Sequence, residues 1–179
     1  PVFPKNMVLG CIQNDTLLYE YGREMARQCR ELGVQVNFAP VADVNINPKN
    51  PVINTRSFGE NPVNVANKVI AYARGLEDGG VLSVSKHFPG HGDTDVDSHK
   101  SLPVLPFTRE RLDSVELYPF RKAVQEVFNF FIFIFPTACE RPNSFLANSS
   151  LSKARWQAST CAANASLISS LSISLNDIL

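Results

Sequence analysis

Two handovers from helix to strand consume almost no chain, while the strands lead back to helices through long polar loops. "DTLLYEYGREMARQCRELG" places apolar Leu18, Tyr21, Met25 and Cys29 on one helical face, with Asp15 as N-cap and Gly33 as terminator. The β-branched run "VQVNFAP", Val34 to Pro40, follows at once. A second helix, "NPVNVANKVIAYARGLEDGG", takes Asn61 as cap, Pro62 at its first position and Gly79-Gly80 as its stop. The strand-like run Val81 to Ser85 comes next. A third helix is predicted from near Thr108, with Pro119 as a kink or break, and "FNFFIFIF" from Phe128 reads as a further strand.

Strands joined by helices in this way predict a parallel sheet with right-handed crossovers. The long loops, roughly 40–61 and 86–107, both leave the carboxyl ends of strands. A (β/α)8 barrel keeps its chemistry on such loops, and a doubly wound open sheet shares the asymmetry. The pattern therefore allows both.

Charge narrows the partners. With 17 basic and 17 acidic residues, and 44% of the chain hydrophobic, there is no basic face for a nucleic acid. No apolar run is long enough to predict a membrane span. The opening "PVFPKNMVLG" has neither a basic n-region nor an apolar core, so no signal peptide is read there. Cys11, Cys29, Cys139 and Cys161 are scattered without metal-ligand spacing. Residues 1–127 hold 14 basic and 15 acidic side chains, against three and two in residues 128–179, a serine-rich tail of poor periodicity. The tail is expected to be poorly ordered, or the product of a reading-frame shift.

All three histidines (His87, His91, His99) fall in "KHFPGHGDTDVDSHKSLP", beside Asp93, Asp95 and Asp97. The aspartates imitate the start of a calcium loop. That motif needs Gly at its sixth position and Glu at its twelfth, where this chain has Ser98 and Val104. His87 and His91 have zinc-ligand spacing only on a helix, which Pro89, Gly90 and Gly92 oppose. No metal is predicted. A solvated turn and an acid/base site both remain open. For the second, a histidine exchanges protons near neutral pH, and Asp97, two residues before His99, is a carboxylate that could steer it in an extended segment. Lys86 and His87 stand where strand is expected to become loop.

"NFAPVADVNINPKNPVINTRSFGENP" followed by "SKHFPGHGDTDVDSHKSLPVL" resembles the N-terminal barrel domain of glycoside hydrolase family 3, in its bacterial β-N-acetylglucosaminidase (β-N-acetylhexosaminidase) branch. The resemblance runs from Phe3 to Val127 and implies an α/β fold of the (β/α)8 TIM-barrel type. A full barrel takes about 250 residues. Residues 1–127 are thus expected to be the middle of such a domain, an incomplete barrel followed by the divergent 128–179 tail. The resemblance implies His99 as general acid/base with Asp97 as its partner, and Arg56, Lys86 and His87 as ligands of sugar hydroxyls. His91, Asp93 and Asp95 are expected to shape the loop.

The implied reaction is retaining removal of a non-reducing terminal β-linked N-acetylglucosamine from a glycan or peptidoglycan fragment. It needs no cofactor, and its compartment, bacterial cytoplasm or envelope, is not read from this sequence; phosphate stays open as an alternative acceptor to water. The family's nucleophilic aspartate lies in an S/T-D-D or S/T-D-A segment that has no match here, since Asp177 is the sole aspartate after Asp113. Alone, the chain is expected to be inactive. The alternative is a non-catalytic carbohydrate-binding or inert remnant, lacking further barrel strands and a C-terminal domain.

Overall fold

The computed structural model describes residues 2–98, 100–101, 103–127, 131–134 and 138–139. The chain divides into two compact units, Pro1–Ala138 and Cys139–Leu179, and the helices and strands that build the site lie in the first.

The strongest local signals form as read. Asn61 caps the helix Pro62–Asp78, its side-chain oxygen accepting from Val63 N and Asn64 N at 3.0 Å, and Gly79 and Gly80 (φ 82°) end it. The helix predicted through Pro119 is instead two. A short one, Arg109–Ser114, is capped by Thr108, and a second, Tyr118–Glu126, carries the proline in its first turn, where no N–H is missed. We number the helices α1 (Asn6–Leu9), α2 (Thr16–Glu31), α3 (Pro62–Asp78), α4 (Arg109–Ser114) and α5 (Tyr118–Glu126). The strands are β1 (Val36–Asn37), β2 (Leu82–Phe88), β3 (Val104–Leu105) and β4 (Phe131–Ile134).

The sheet order is β1-β2-β4, parallel throughout, with Val36 opposite Leu82 and Val84 opposite Phe131. Buried between its neighbours, β2 reads as an almost continuous covered run rather than an alternating one. It is longer than expected. Lys86, His87 and Phe88 belong to the strand itself, so the two candidate ligands sit on its last residues and not in the loop. The register shifts between Ser85 and Phe88, which bends the strand just there.

Helix α3 is the centre of the packing, touching α2, α5 and β2. Its inward residues Val65, Val69, Ala73 and Leu76 are fully covered, as are Leu18 and Ala26 of α2 and Phe120 of α5. Helices α2 and α3 cross at glycines: a methyl group on Gly75 would stand 2.1 Å from the Tyr19 carbonyl oxygen, and one on Gly22 2.4 Å from that of Tyr72. The apolar stripe of α2 is therefore deepest at Leu18, Gly22 and Ala26, not at Tyr21 or Met25. Asp15 holds the N-cap position but makes no side-chain cap. Its carboxylate pairs instead with Lys68 of α3, an ammonium only 3% exposed that also donates to the Ile12 carbonyl. A buried cation needs an anion more than a helix end needs a cap.

Among the described residues no helix is long and apolar enough to cross a membrane.

Candidate active site

The carboxyl ends of β1 and β2 run side by side beyond their formal limits. Val84 N donates to Ala39 O, Lys86 N to Pro40 O and Ala42 N to Lys86 O, at 2.7–3.1 Å. This carries the chain after β1 to Asp43, fully buried at 0% exposure. One oxygen of its carboxylate accepts from His91 N at 2.7 Å. The other meets His87 Nδ1 at 2.6 Å, and the His87 N–H lies 3.2–3.3 Å from both. One side chain of the first loop thus holds two histidines, one at the end of β2 and one in the loop that follows.

Neighbouring residues extend the lock. The Ser57 hydroxyl donates to the Asp43 carbonyl at 2.6 Å, which sets the residue beside it, Arg56. Asn50, 1% exposed, donates to the carbonyls of His91 (2.6 Å) and Thr94 (3.0 Å) while accepting from Val52 N and Ile53 N. Asn47 donates to Asp95. The two long loops behave as one structure.

Three of the five sequence-derived site residues come together here. Arg56 Nη2 lies 3.4 Å from His87 Nε2, and its Nη1 donates to the Val52 carbonyl at 3.2 Å. A guanidinium only donates, so Nε2 accepts and the His87 ring proton lies on Nδ1, toward Asp43. Lys86 is half-buried; burial first, then Arg56 beside it, push its ammonium below the ordinary lysine value, with Asp43 opposing. Arg56 and Lys86 line a cavity of about 420 Å³ together with Lys5, Phe38, Thr55 and Tyr72. Such a wall offers cationic donors and aromatic faces, the means by which a protein grips a polar, ring-shaped ligand.

Asp97 is half-buried, its carboxylate 3.7 Å from Lys100 Nζ. The extended backbone expected around it is not what the chain adopts. The Asp97 carbonyl accepts from Lys100 N (2.9 Å) and Ser101 N (3.1 Å), the bonding of a tight turn. His99 lies outside the described residues, so the structure offers no geometry for the Asp97–His99 pair.

The remaining loop residues have structural partners. His91 is fully buried, its Nδ1 2.6 Å from the Thr94 hydroxyl, and burial pushes its pKa down, with Asp43 opposing. Asp93 pairs with Arg111 of α4 at 2.9 Å. The alternating aspartates therefore tie the loop in three directions: to α4, to the neighbouring loop and to its own turn.

Sequence reasoning missed Asp43, Asn50 and Arg111. Asp43 left one trace, a carboxylate in the apolar run "APVADV" just past a strand's carboxyl end, where catalytic barrels place their polar groups.

Comparison with known proteins identifies the family and the fold. The family model described as "Glycosyl hydrolase family 3 N terminal domain" matches residues 1–132. The β-hexosaminidase A of Pseudoalteromonas piscicida is 44% identical over 126 residues, 69% of this chain and 21% of that protein. A family 3 β-N-acetylglucosaminidase from Paenibacillus sp. str. FPU-7 superposes with a TM-score of 0.69 at 43% identity, covering 74% of this chain and 26% of the other. NagZ from Neisseria gonorrhoeae, solved with N-trifluoroacetyl-D-glucosamine, gives 0.67 at 34% identity over 78% of this chain and 42% of the other. The chain thus spans between a fifth and about two-fifths of the length of these proteins. Its parallel strands and covering helices are part of a (β/α)8 barrel of the TIM type. The chain belongs to glycosyl hydrolase family 3.

Proposed function

We propose that this chain carries the sugar-binding and acid/base part of a retaining β-N-acetylglucosaminidase. The observation that bears most weight is the convergence of Arg56, Lys86 and His87 at the carboxyl end of β2, held by the buried Asp43. The names of the relatives supply the sugar: β-hexosaminidases and a β-N-acetylglucosaminidase. In this reading Arg56 and Lys86 donate to sugar hydroxyl oxygens, and His87, fixed in one tautomer, orients Arg56 and meets the ring. His99, as imidazolium, protonates the leaving oxygen and, then neutral, draws a proton from water, with Asp97 steadying the imidazolium before the first step and after the second.

Covalent retention also needs a carboxylate nucleophile at the anomeric carbon. Nothing within residues 1–179 resembles the segment that would carry it. The chain by itself therefore binds N-acetylglucosamine and does not turn over an aryl N-acetylglucosaminide. Two measurements on the purified chain test this. NMR titration with N-acetylglucosamine is expected to move signals of Arg56, Lys86 and His87, and to lose that response in Lys86→Ala; shifts elsewhere, or none, count against the site. Release of aryl alcohol that disappears in His99→Ala would overturn the claim of inactivity.

A further inference from the structure

The loop after β2 is held on its first side by Asp43, Asn50 and Asn47. Its other side rests on a separate group of residues that the reaction does not require. Helix α4 is six residues long and buries none of them, so packing alone anchors it poorly. Arg111, in its middle, lies over the Phe107 ring with the guanidinium carbon 4.6 Å from the centroid. Its Nη2 donates to Asp93 Oδ2 and to Glu116 Oε1, both at 2.9 Å. Asp93 is on the loop; Glu116 lies between α4 and α5.

Glu116 also meets the loop directly. Gly90 has φ +132°, and a methyl group there would stand 2.7 Å from Glu116 Cβ and 2.9 Å from Cγ. The acidic side chain is thus the floor under the first turn of the loop. Arg111 Nη2 bridges from that floor to the next turn. Residues 90–93 are held between the two sides.

As a source of stability this arrangement is poor. Glu116 is 3% exposed, and its second oxygen and Arg111 Nε are buried without a partner. Burial pushes the Glu116 carboxyl up to about 7, with Arg111 opposing. Ion pairs with incomplete hydrogen bonding return little of their desolvation cost, but they do fix geometry.

We propose that Arg111 is a positioning residue for the acid/base loop: by gripping Asp93 and Glu116 at once, it sets where the Asp97 turn stands. The role rests on the proposed glycosidase function, in which that turn carries the acid/base pair. A lysine would keep the charge and lose the planar guanidinium that lies over Phe107.

Amide hydrogen exchange on the full chain tests it at two places. Lys100 N and Ser101 N close the turn on the Asp97 carbonyl, while His91 N is bonded to Asp43 and Val84 N lies within β2. In Arg111→Ala, Lys100 and Ser101 are expected to lose protection about tenfold, with His91 and Val84 unchanged, and Arg111→Lys to recover part of the loss. The titration midpoint of His99 is expected to move in Arg111→Ala while that of His91 holds. Unchanged protection at Lys100 and Ser101, or an equal loss at all four amides, overturns the proposal. The glycosidase reading fails separately: a His99 midpoint indifferent to Asp97→Asn in the otherwise natural chain removes the pair, whatever the amides of the turn report.

Discussion

Replacing Asp43 by asparagine changes one oxygen to an NH2 group and leaves shape intact, yet no orientation of the new side chain satisfies its surroundings. The carboxylate faces three donors: His91 N at 2.7 Å, His87 N at 3.2–3.3 Å and His87 Nδ1 at 2.6 Å. An amide accepts at one end only, so either His91 N or His87 Nδ1 meets another donor. A buried donor left unpaired costs about 1–3 kcal/mol, and the surviving bonds fall from charge-assisted to neutral strength, roughly a further 1 kcal/mol. The ring of His87 has one escape, moving its proton to Nε2 so that Nδ1 accepts. That turns an N–H toward the Arg56 guanidinium 3.4 Å away, donor against donor. The expected loss is therefore on the order of 3 kcal/mol, which lowers the urea midpoint by about 1–3 M. Urea unfolding of both proteins, with ¹⁵N spectra of the histidine rings, measures it. A loss below about 0.5 kcal/mol, or a His87 ring already protonated on Nε2 in the natural chain, would refute the reasoning.

Glu116→Gln removes a titration. The folded-state value near 7 stands above the ordinary 4.5, so the folded chain holds a proton that the unfolded chain has released; this stabilisation is full below about pH 4.5 and is lost as pH rises to about 7. Solvent reaching Arg111 reduces a nominal ~3 kcal/mol to on the order of 1–2, so the natural chain's stability falls by that amount across the window and the variant's profile flattens, as denaturation at stepped pH will read. Gly75→Ala drives a methyl group to 2.1 Å from the Tyr19 carbonyl, and the α2–α3 crossing has to open. A loss of about 1–3 kcal/mol by thermal melting is expected, against the stabilisation of about 1 kcal/mol that alanine gives an open helix. Lys68→Met removes the buried cation and leaves Asp15 in solvent at its helix start; a change of less than about 1.5 kcal/mol is expected, and a loss above about 3 kcal/mol would show the pair to be a true stabiliser.

The features legible in the sequence were those that depend on near neighbours. Asn61 with Pro62 and the Gly79-Gly80 pair are each decided within a few residues, and each formed where the chain pattern placed it, while the break expected at Pro119 falls before it, between Ser114 and Tyr118. The parallel sheet followed from the tight helix-to-strand joints at Gly33 and Gly79-Gly80. Asp15 misled because its real partner, Lys68, is 53 residues away and its need for a counter-charge outweighs a cap. Asp43 was invisible for the same reason: its histidines come 44 and 48 residues later, and local propensity says nothing of them. The extended reading at Asp97 failed because alternate spacing is only a permission, and the turn closed by Lys100 N and Ser101 N takes precedence.

This division between local and distant causes bears on what the site can do. The groups that fix His87 and Arg56 (Asp43, Ser57 and the Val52 carbonyl) come mainly from residues 43–57, joined by Pro40 and Ala42 on the Lys86 backbone and by Asn6 on the Arg56 carbonyl. On the proposed function, the geometry offered to the sugar is set largely within two adjacent βα units. Catalysis by retention is different in kind. It requires a nucleophile on one face of the sugar and an acid on the other, so it cannot be built from neighbouring loops of one sector alone. Under the proposed function, binding and turnover are thus separable: residues 1–127 carry the groups for the first, and the nucleophile for the second has to come from a segment unlike any in residues 1–179.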